Sequence, residues 1–416
     1  MRLTLPRLLL RLLPLLVVIL IDSISYTIVV PILSAALLSD HPVLMATASE
    51  DTRYVVYGVA IGIFELMLLY MAPVLGEVSD RKGRRIVLLV CLAGAIASFV
   101  LIGAAILTNF VVLLLLGRML GGATAGSQPV AQAAAVDVST EDRKPLALSL
   151  ALLASSLGFV AGPLLGGLMS WDDNVVVSDL VIPLVVTAVL AAAGIVLVLF
   201  GYRDSRPPVQ GQGKVDLWMG VRGFRAAFAD SAIRRLVFVF ALMQMAWGAF
   251  FLFLPSLLYE RFDVETSVVT LMLALLGVGF CLAYGLFLPW LSKHYSARSL
   301  TIWSLWATVV LMAAAVFWAD LGVMWTVAIP VAATVSIAFG AILTQFSDAV
   351  DADRQGWILG ISGSVNALAW AVSSVAAGFL SAISYVTPFI IAVVVLAVSA
   401  ALATLPLKSR TAQLDT

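Results

Sequence analysis

Three ionisable side chains, Asp22, Glu65 and Arg118, sit inside long apolar runs of a 416-residue chain that is 62% hydrophobic and only 12% charged. Charge within such a run is costly, and side chains of this kind mark ion or substrate pathways and proton relays. If the runs are helices across a bilayer, a rise of about 1.5 Å per residue puts Glu65 roughly 16 Å and Arg118 roughly 10 Å below the outer surface. Those depths predict a pair, either a charge-sensing switch or a static ion pair. Asp22 falls roughly 15 Å above the inner surface, with no evident cationic partner. A carboxyl alone in a low-dielectric cavity holds a proton or a cationic amine but not both well, which is the least that an exchange device needs. The simpler reading is a permanent hydrogen bond to Ser25 or Tyr26.

Other residues suggest a cavity around these charges. Tyr26 lies one helical turn from Asp22 on the same face, and Gln128 and Gln132 are likewise four apart. Gln244, Trp247 and Phe250 share a face later in the chain, and Gln345 and Asn366 add amides in two further apolar runs. Aromatic walls with few hydrogen-bonding groups suit an amphiphilic organic molecule. Singly, each of these residues reads more simply as helix packing. Cys91 and Cys281 lie in separate apolar runs, and His41 and His294 share no ligand spacing, so neither a disulfide framework nor a metal centre is expected. No phosphate-binding loop occurs, so direct ATP drive is not expected, and without a hydrolase or metal-centre constellation the chain is read as no enzyme and as needing no cofactor. The formal net charge of zero gives no sign of a nucleic-acid partner.

The elements that must position these residues follow from hydropathy. The mean hydropathy of +1.08 requires lipid as part of the solvent. Twelve apolar segments, from Leu12–Leu38 to Val386–Leu405, reach the roughly 20 residues that a crossing helix needs. The prediction is an all-α membrane protein with twelve transmembrane helices in two six-helix, pseudo-symmetric bundles. The first segment is not read as a cleaved leader, since Asp22 interrupts it. Nearly all Lys and Arg fall in alternate loops, with Arg53 and Arg261 as exceptions, which places both termini in the cytoplasm. The expected division is residues 1–201, a cytoplasmic linker over 202–232 with a possible basic amphipathic helix, and residues 233–416.

Two motifs bear on motion. "GEVSDRKGRR", residues 76–85, predicts a tight turn in which Gly76 and Gly83 supply backbone freedom. Asp80 can cap a helix end there, and Arg81, Arg84 and Arg85 can bridge carboxylates, so the loop reads as a cytoplasmic latch or as a merely topogenic basic loop. In "GFVAGPLLGG", Gly158, Gly162 and Gly166 recur every fourth residue, with Pro163 beside them and Gly167 after. That pattern makes one smooth helix face next to a loosened segment.

Residues 76–85 resemble the loop-two-to-three signature of the major facilitator superfamily. "GRMLGGATAGSQPVAQAAAVDVS", residues 117–139, is similar to its fourth-helix motif with an intramembrane arginine, and residues 158–167 to the fifth-helix signature of its proton-coupled antiporters. "LIDSISYTIVVPIL" also resembles the first helix of vesicular monoamine transporters, where an acid at the matching place serves substrate or proton. Residues 347–378 more loosely resemble the tenth-to-eleventh-helix region of tetracycline-type exporters. The charged loop is not repeated in the second half, which reads "PWLSKHYSARS". The resemblance implies a monomeric inner-membrane antiporter exporting a small organic molecule against protons, with lipid as its other partner. A proton-coupled importer, an exporter of a metabolite such as a carboxylate siderophore, and a non-transporting receptor or scaffold are the alternatives.

Overall fold

The computed structural model describes residues 5–140, 143–167, 177–204, 233–350 and 355–405, with isolated positions between 222 and 229. Twelve of its helices are long and apolar enough to span a membrane. They are α1 (Leu8–Leu37), α2 (Glu50–Lys82), α3 (Arg84–Thr108), α4 (Val111–Asp137), α5 (Leu146–Gly166) and α6 (Val177–Gly201), then α7 (Arg234–Phe262), α8 (Thr266–Leu291), α9 (Ala297–Phe317), α10 (Leu321–Asp348), α11 (Gly360–Ser381) and α12 (Thr387–Thr404). Helices are the form this sequence can take in lipid, because each satisfies its backbone groups internally. Local chemistry fixes their ends. Ser49, Ser296 and Asp320 cap α2, α9 and α10 with side-chain oxygens that accept from Thr52, Ser299 and Val323. Glu50 and Asp51 open α2, and Arg81 and Lys82 close it, each sign matching the helix dipole.

The helices form two six-helix bundles, α1–α6 and α7–α12. In the first, α1 packs on α5 and α6, and α3 on α4 and α6; in the second, α7 packs on α11 and α12, and α9 on α10 and α12. Across the halves, α2 lies on α11 and α5 on α8. The linker expected over 202–232 lies almost wholly outside the described residues.

The charged motif is where the structure departs from the sequence reading. Helix α2 runs on through Lys82, and Gly83 alone, at φ +101°, separates it from α3. Gly76 is helical, in open space, and makes no turn. The physical reason is that Glu77 and Arg81 form an ion pair four residues apart, which favours continued helix at the membrane surface, while Asp80 pairs with Arg84 across the break at Gly83.

The side where α1 begins and α2 meets α3 is here called the terminal side. On the far side the halves touch. Tyr54 donates to Glu260 Oε1 at 2.9 Å, and Tyr57 donates to the Leu252 carbonyl at 2.7 Å. Gly58 allows the closest approach, since a Cβ there would lie 2.5 Å from the Ser374 carbonyl oxygen and 3.0 Å from Gly378 Cα. Towards the terminal side the halves part.

Candidate functional site

The parting encloses a cavity of about 1000 Å³ that runs from mid-molecule towards the terminal side and is lined by both halves. Three local irregularities border it. Helix α1 is broken at Ile28, α4 is interrupted at Ala125 and Gly126, and α8 contains a π-helical segment at Ala283–Phe287. Such interruptions are tolerated at membrane depth where protein or a cavity satisfies the freed backbone.

All three ionisable residues line this space. Asp22, half-buried, accepts a hydrogen bond from Ser127 Oγ at the break in α4, and no basic side chain partners it among the described residues. Neither Ser25 nor Tyr26 holds it. Tyr26 instead reaches from α1 to α2 and donates to Glu65 Oε1 at 2.7 Å. Glu65 and Arg118 are both buried, at 2% and 4% exposure, yet they form no direct ion pair. Arg118 donates through Nε to the Ala60 carbonyl at 3.0 Å, and its guanidinium carbon lies 4.3 Å from the Phe64 ring centroid. The depths matched, but the guanidinium turned to the backbone and ring of α2 beside the acid.

The amides divide. Gln128 lines the cavity and donates to Ser155 Oγ at 3.0 Å, which in turn lies 2.9 Å from Ser23 Oγ. Gln244, Trp247 and Asn366 line the second half's wall. Gln132, Phe250 and Gln345 do not border the cavity. Phe250 is core, stacked on Trp247 with centroids 5.8 Å apart and edge-on to Phe389 at 6.0 Å. Gln345 ties α10 to α9 through Thr301 Oγ1 at 2.7 Å. Sequence reasoning missed Ser127 and the rings of Phe64, Phe159, Phe251, Phe280 and Trp370. A ring in an apolar run carries no distinguishing mark, although Trp370 lies one turn beyond Asn366 and Phe64 adjoins Glu65.

The two motifs have distinct places. In α5, the glycine face meets α1: a Cβ on Gly158 would fall 2.4 Å from Ser23 Cβ, on Gly162 2.0 Å from Thr27 Oγ1, and on Gly166 3.1 Å from Pro31 Cγ. An adjoining face meets α8, where a Cβ on Gly277 would lie 2.8 Å from the Phe159 carbonyl oxygen. Helix α5 is thus wedged between an element of its own half and one of the other. Pro163 stays within the helix, and the helical turn runs one residue past the span, to Gly167. At the terminal side, Gly76, Glu77 and Asp80 border the cavity mouth. Arg84 bonds Asp80 at 2.5 Å, Ser79 Oγ at 2.5 Å and Asp137 at 3.3 Å, while the Arg85 amide donates to Asp204 at 3.1 Å and its side chain to the Leu199 carbonyl. These bonds join α2, α3, α4 and the chain after α6, all within the first half.

The Major Facilitator Superfamily model matches residues 15–374. Tetracycline resistance protein, class C, of Escherichia coli is 27% identical over 357 residues, 84% of each chain. Multidrug resistance protein 1 of Bacillus subtilis (strain 168) is 24% identical over 393 residues, 91% of this chain and 95% of that one. Among solved structures, the human organic anion transporter MFSD10 (TETRAN) superposes with a TM-score of 0.69 at 18% identity, covering 96% of this chain and all of that one. A bacterial homolog of the human lysosomal transporter Spinster, solved inward-facing and unoccupied, gives 0.70 at 17% identity over 96% and 97%. Matched family, shared fold and twelve spans agree: this chain belongs to the major facilitator superfamily and is a multi-pass, inner-membrane transporter of small molecules rather than an enzyme.

Proposed function

We propose that the protein exports a small amphiphilic organic molecule in exchange for protons, by alternating access. The observation that carries this reading is a cavity shared by both halves whose two deeper carboxyls are partnered by hydroxyls, Asp22 by Ser127 and Glu65 by Tyr26. A hydroxyl donates to a carboxylate and accepts from a carboxylic acid, so either protonation state can be held. The basic residues of the terminal side support placing it in the cytoplasm, which makes this the inward-open state. Asp22 then gives its proton to the cytoplasm, and substrate binds among the rings. The halves rock about the contacts of α2 with α11 and of α5 with α8, and protons from outside displace the substrate. Glu65 and Tyr26 carry the charge change between α1 and α2, while Arg118 stiffens α2 through Ala60. The charged network at 77–85 acts as the first half's share of a terminal-side latch, parted in this state. The resistance proteins named above support export, and the cavity lies within one chain, as a monomer requires.

Purified protein in liposomes, with an imposed pH gradient and a pH dye inside, tests this against cationic, neutral and polycarboxylate compounds. Proton movement that depends on substrate and is lost in Asp22→Asn is the expected result. If Asp22→Asn transports like wild type, the proton site moves to Glu65. Binding without any proton movement would sink antiport and leave a receptor.

A further inference from the structure

The second half faces the cavity without an ionised side chain among the described residues. Besides the hydroxyls of Tyr284, Ser336 and Ser364, it presents a pair of amides: Gln244 Nε2 on α7 donates to Asn366 Oδ1 on α11. Close helix packing brings them together. Gly248, one turn beyond Gln244, lies so near α11 that a Cβ there would fall 2.7 Å from Ser373 Oγ and 3.4 Å from Trp370 Cδ2.

That bond leaves the Gln244 carbonyl oxygen as an acceptor and the Asn366 amide nitrogen as a donor. Neither atom is enclosed without a partner, and both residues line the cavity, so the pair shows it an acceptor beside a donor. If both amides turn over together, their mutual bond survives and the order of acceptor and donor reverses. The edge therefore reads a complementary edge in either order. Rings flank it. Trp247 follows Gln244 by three residues and Trp370 follows Asn366 by four, one turn in each case. Phe251 stands 5.9 Å from the Trp247 ring and 6.0 Å from that of Trp370, and Tyr26 of the first half lies 6.2 Å from Trp370.

We infer that the Gln244–Asn366 pair is a specificity element for an uncharged, flat, aromatic molecule carrying a carbonyl next to an N–H, as in a cyclic amide, whose ring packs against Trp247 and Trp370. The inference rests on the cavity being the substrate site. It divides the labour between the halves: the first handles protons, and the second reads a neutral edge.

Two isomers test it, 4-methyl-2-quinolone, which keeps the adjacent carbonyl and N–H, and 1-methyl-2-quinolone, which replaces that hydrogen by methyl. Binding to full-length protein in nanodiscs is measured by equilibrium dialysis, with empty nanodiscs subtracted. Wild type should prefer the 4-methyl isomer about tenfold, the scale of one unmade buried hydrogen bond. Gln244→Leu and, separately, Asn366→Leu should reduce that preference to within about twofold. The wild-type comparison needs no variant to fold. Equal affinities for the isomers, or no binding of the 4-methyl isomer, overturns the inference, as does a preference that persists in both variants. Proton flux in the liposome assay separates the two readings: its survival alongside equal affinities rejects only the amide edge.

Discussion

A carboxyl that must load and unload a proton needs a partner suited to both of its states, and Ser127 is such a partner for Asp22. Ser127→Ala should lower substrate-driven proton flux in liposomes about tenfold, as expected for a lost bond to a charged group, while Ser127→Thr keeps most of it. Flux in Ser127→Ala equal to wild type would leave Asp22 independent of that bond. At this scale the sequence was informative where chemistry is costly. Asp22, Glu65 and Arg118 stand out because ionised groups in apolar runs are rare. Their partners were not legible, because depth along a helix says nothing about which way a long side chain turns; Arg118 turned to Ala60 and Phe64. Likewise a shared face did not tell cavity from core, and Phe250 went to the core while Trp247 went to the cavity.

Helix α5 shows how small residues work as an element rather than singly. Its glycines let α1 approach until Thr27 Oγ1 bonds the Gly158 carbonyl at 3.3 Å. Gly162→Leu should push α1 and α5 apart, lower the melting temperature in detergent and depress transport, since overpacking costs about 1–3 kcal/mol. Gly76→Ala should do neither, because open space surrounds it and alanine suits a helix interior better by about 0.5–1 kcal/mol. A melting temperature lowered equally by both changes would contradict this contrast. The four-residue spacing in α5 was legible as a packing face, but not that its partner is α1. The turn expected over 76–85 shrinks to Gly83, because Gly76 has room to stay helical and the Glu77–Arg81 pair supports α2 as far as Lys82.

For the whole molecule, the seal opposite the terminal side depends on Gly58 lying against Ser374 and Gly378. Leucine at position 58 cannot be accommodated there, so Gly58→Leu should favour the state in which that side parts and the terminal side closes. Gly363 borders the cavity in open space and suits a reporter, as Gly363→Cys with Cys91 and Cys281 replaced by serine. Its rate of alkylation by a water-soluble maleimide should fall several-fold when Gly58→Leu is added; an unchanged rate would mean that the seal does not set the equilibrium. Twelve spans in two bundles were legible because the bilayer imposes length and hydropathy. Which side stands open was not, since both states are built from the same helices and differ in a few contacts between them. The long α2 has a mechanical consequence. It is a beam of about 50 Å, pinned near one end at Gly58, carrying Glu65 on its span and welded to α3 by one residue at the other end. A tilt of about 15° about the pin carries Ala72, about 21 Å along, sideways by about 5 Å. The width of the mouth is then geared to the angle of one rod, and a displacement where Tyr26 grips Glu65, about 10 Å from the pin, is about doubled at Ala72.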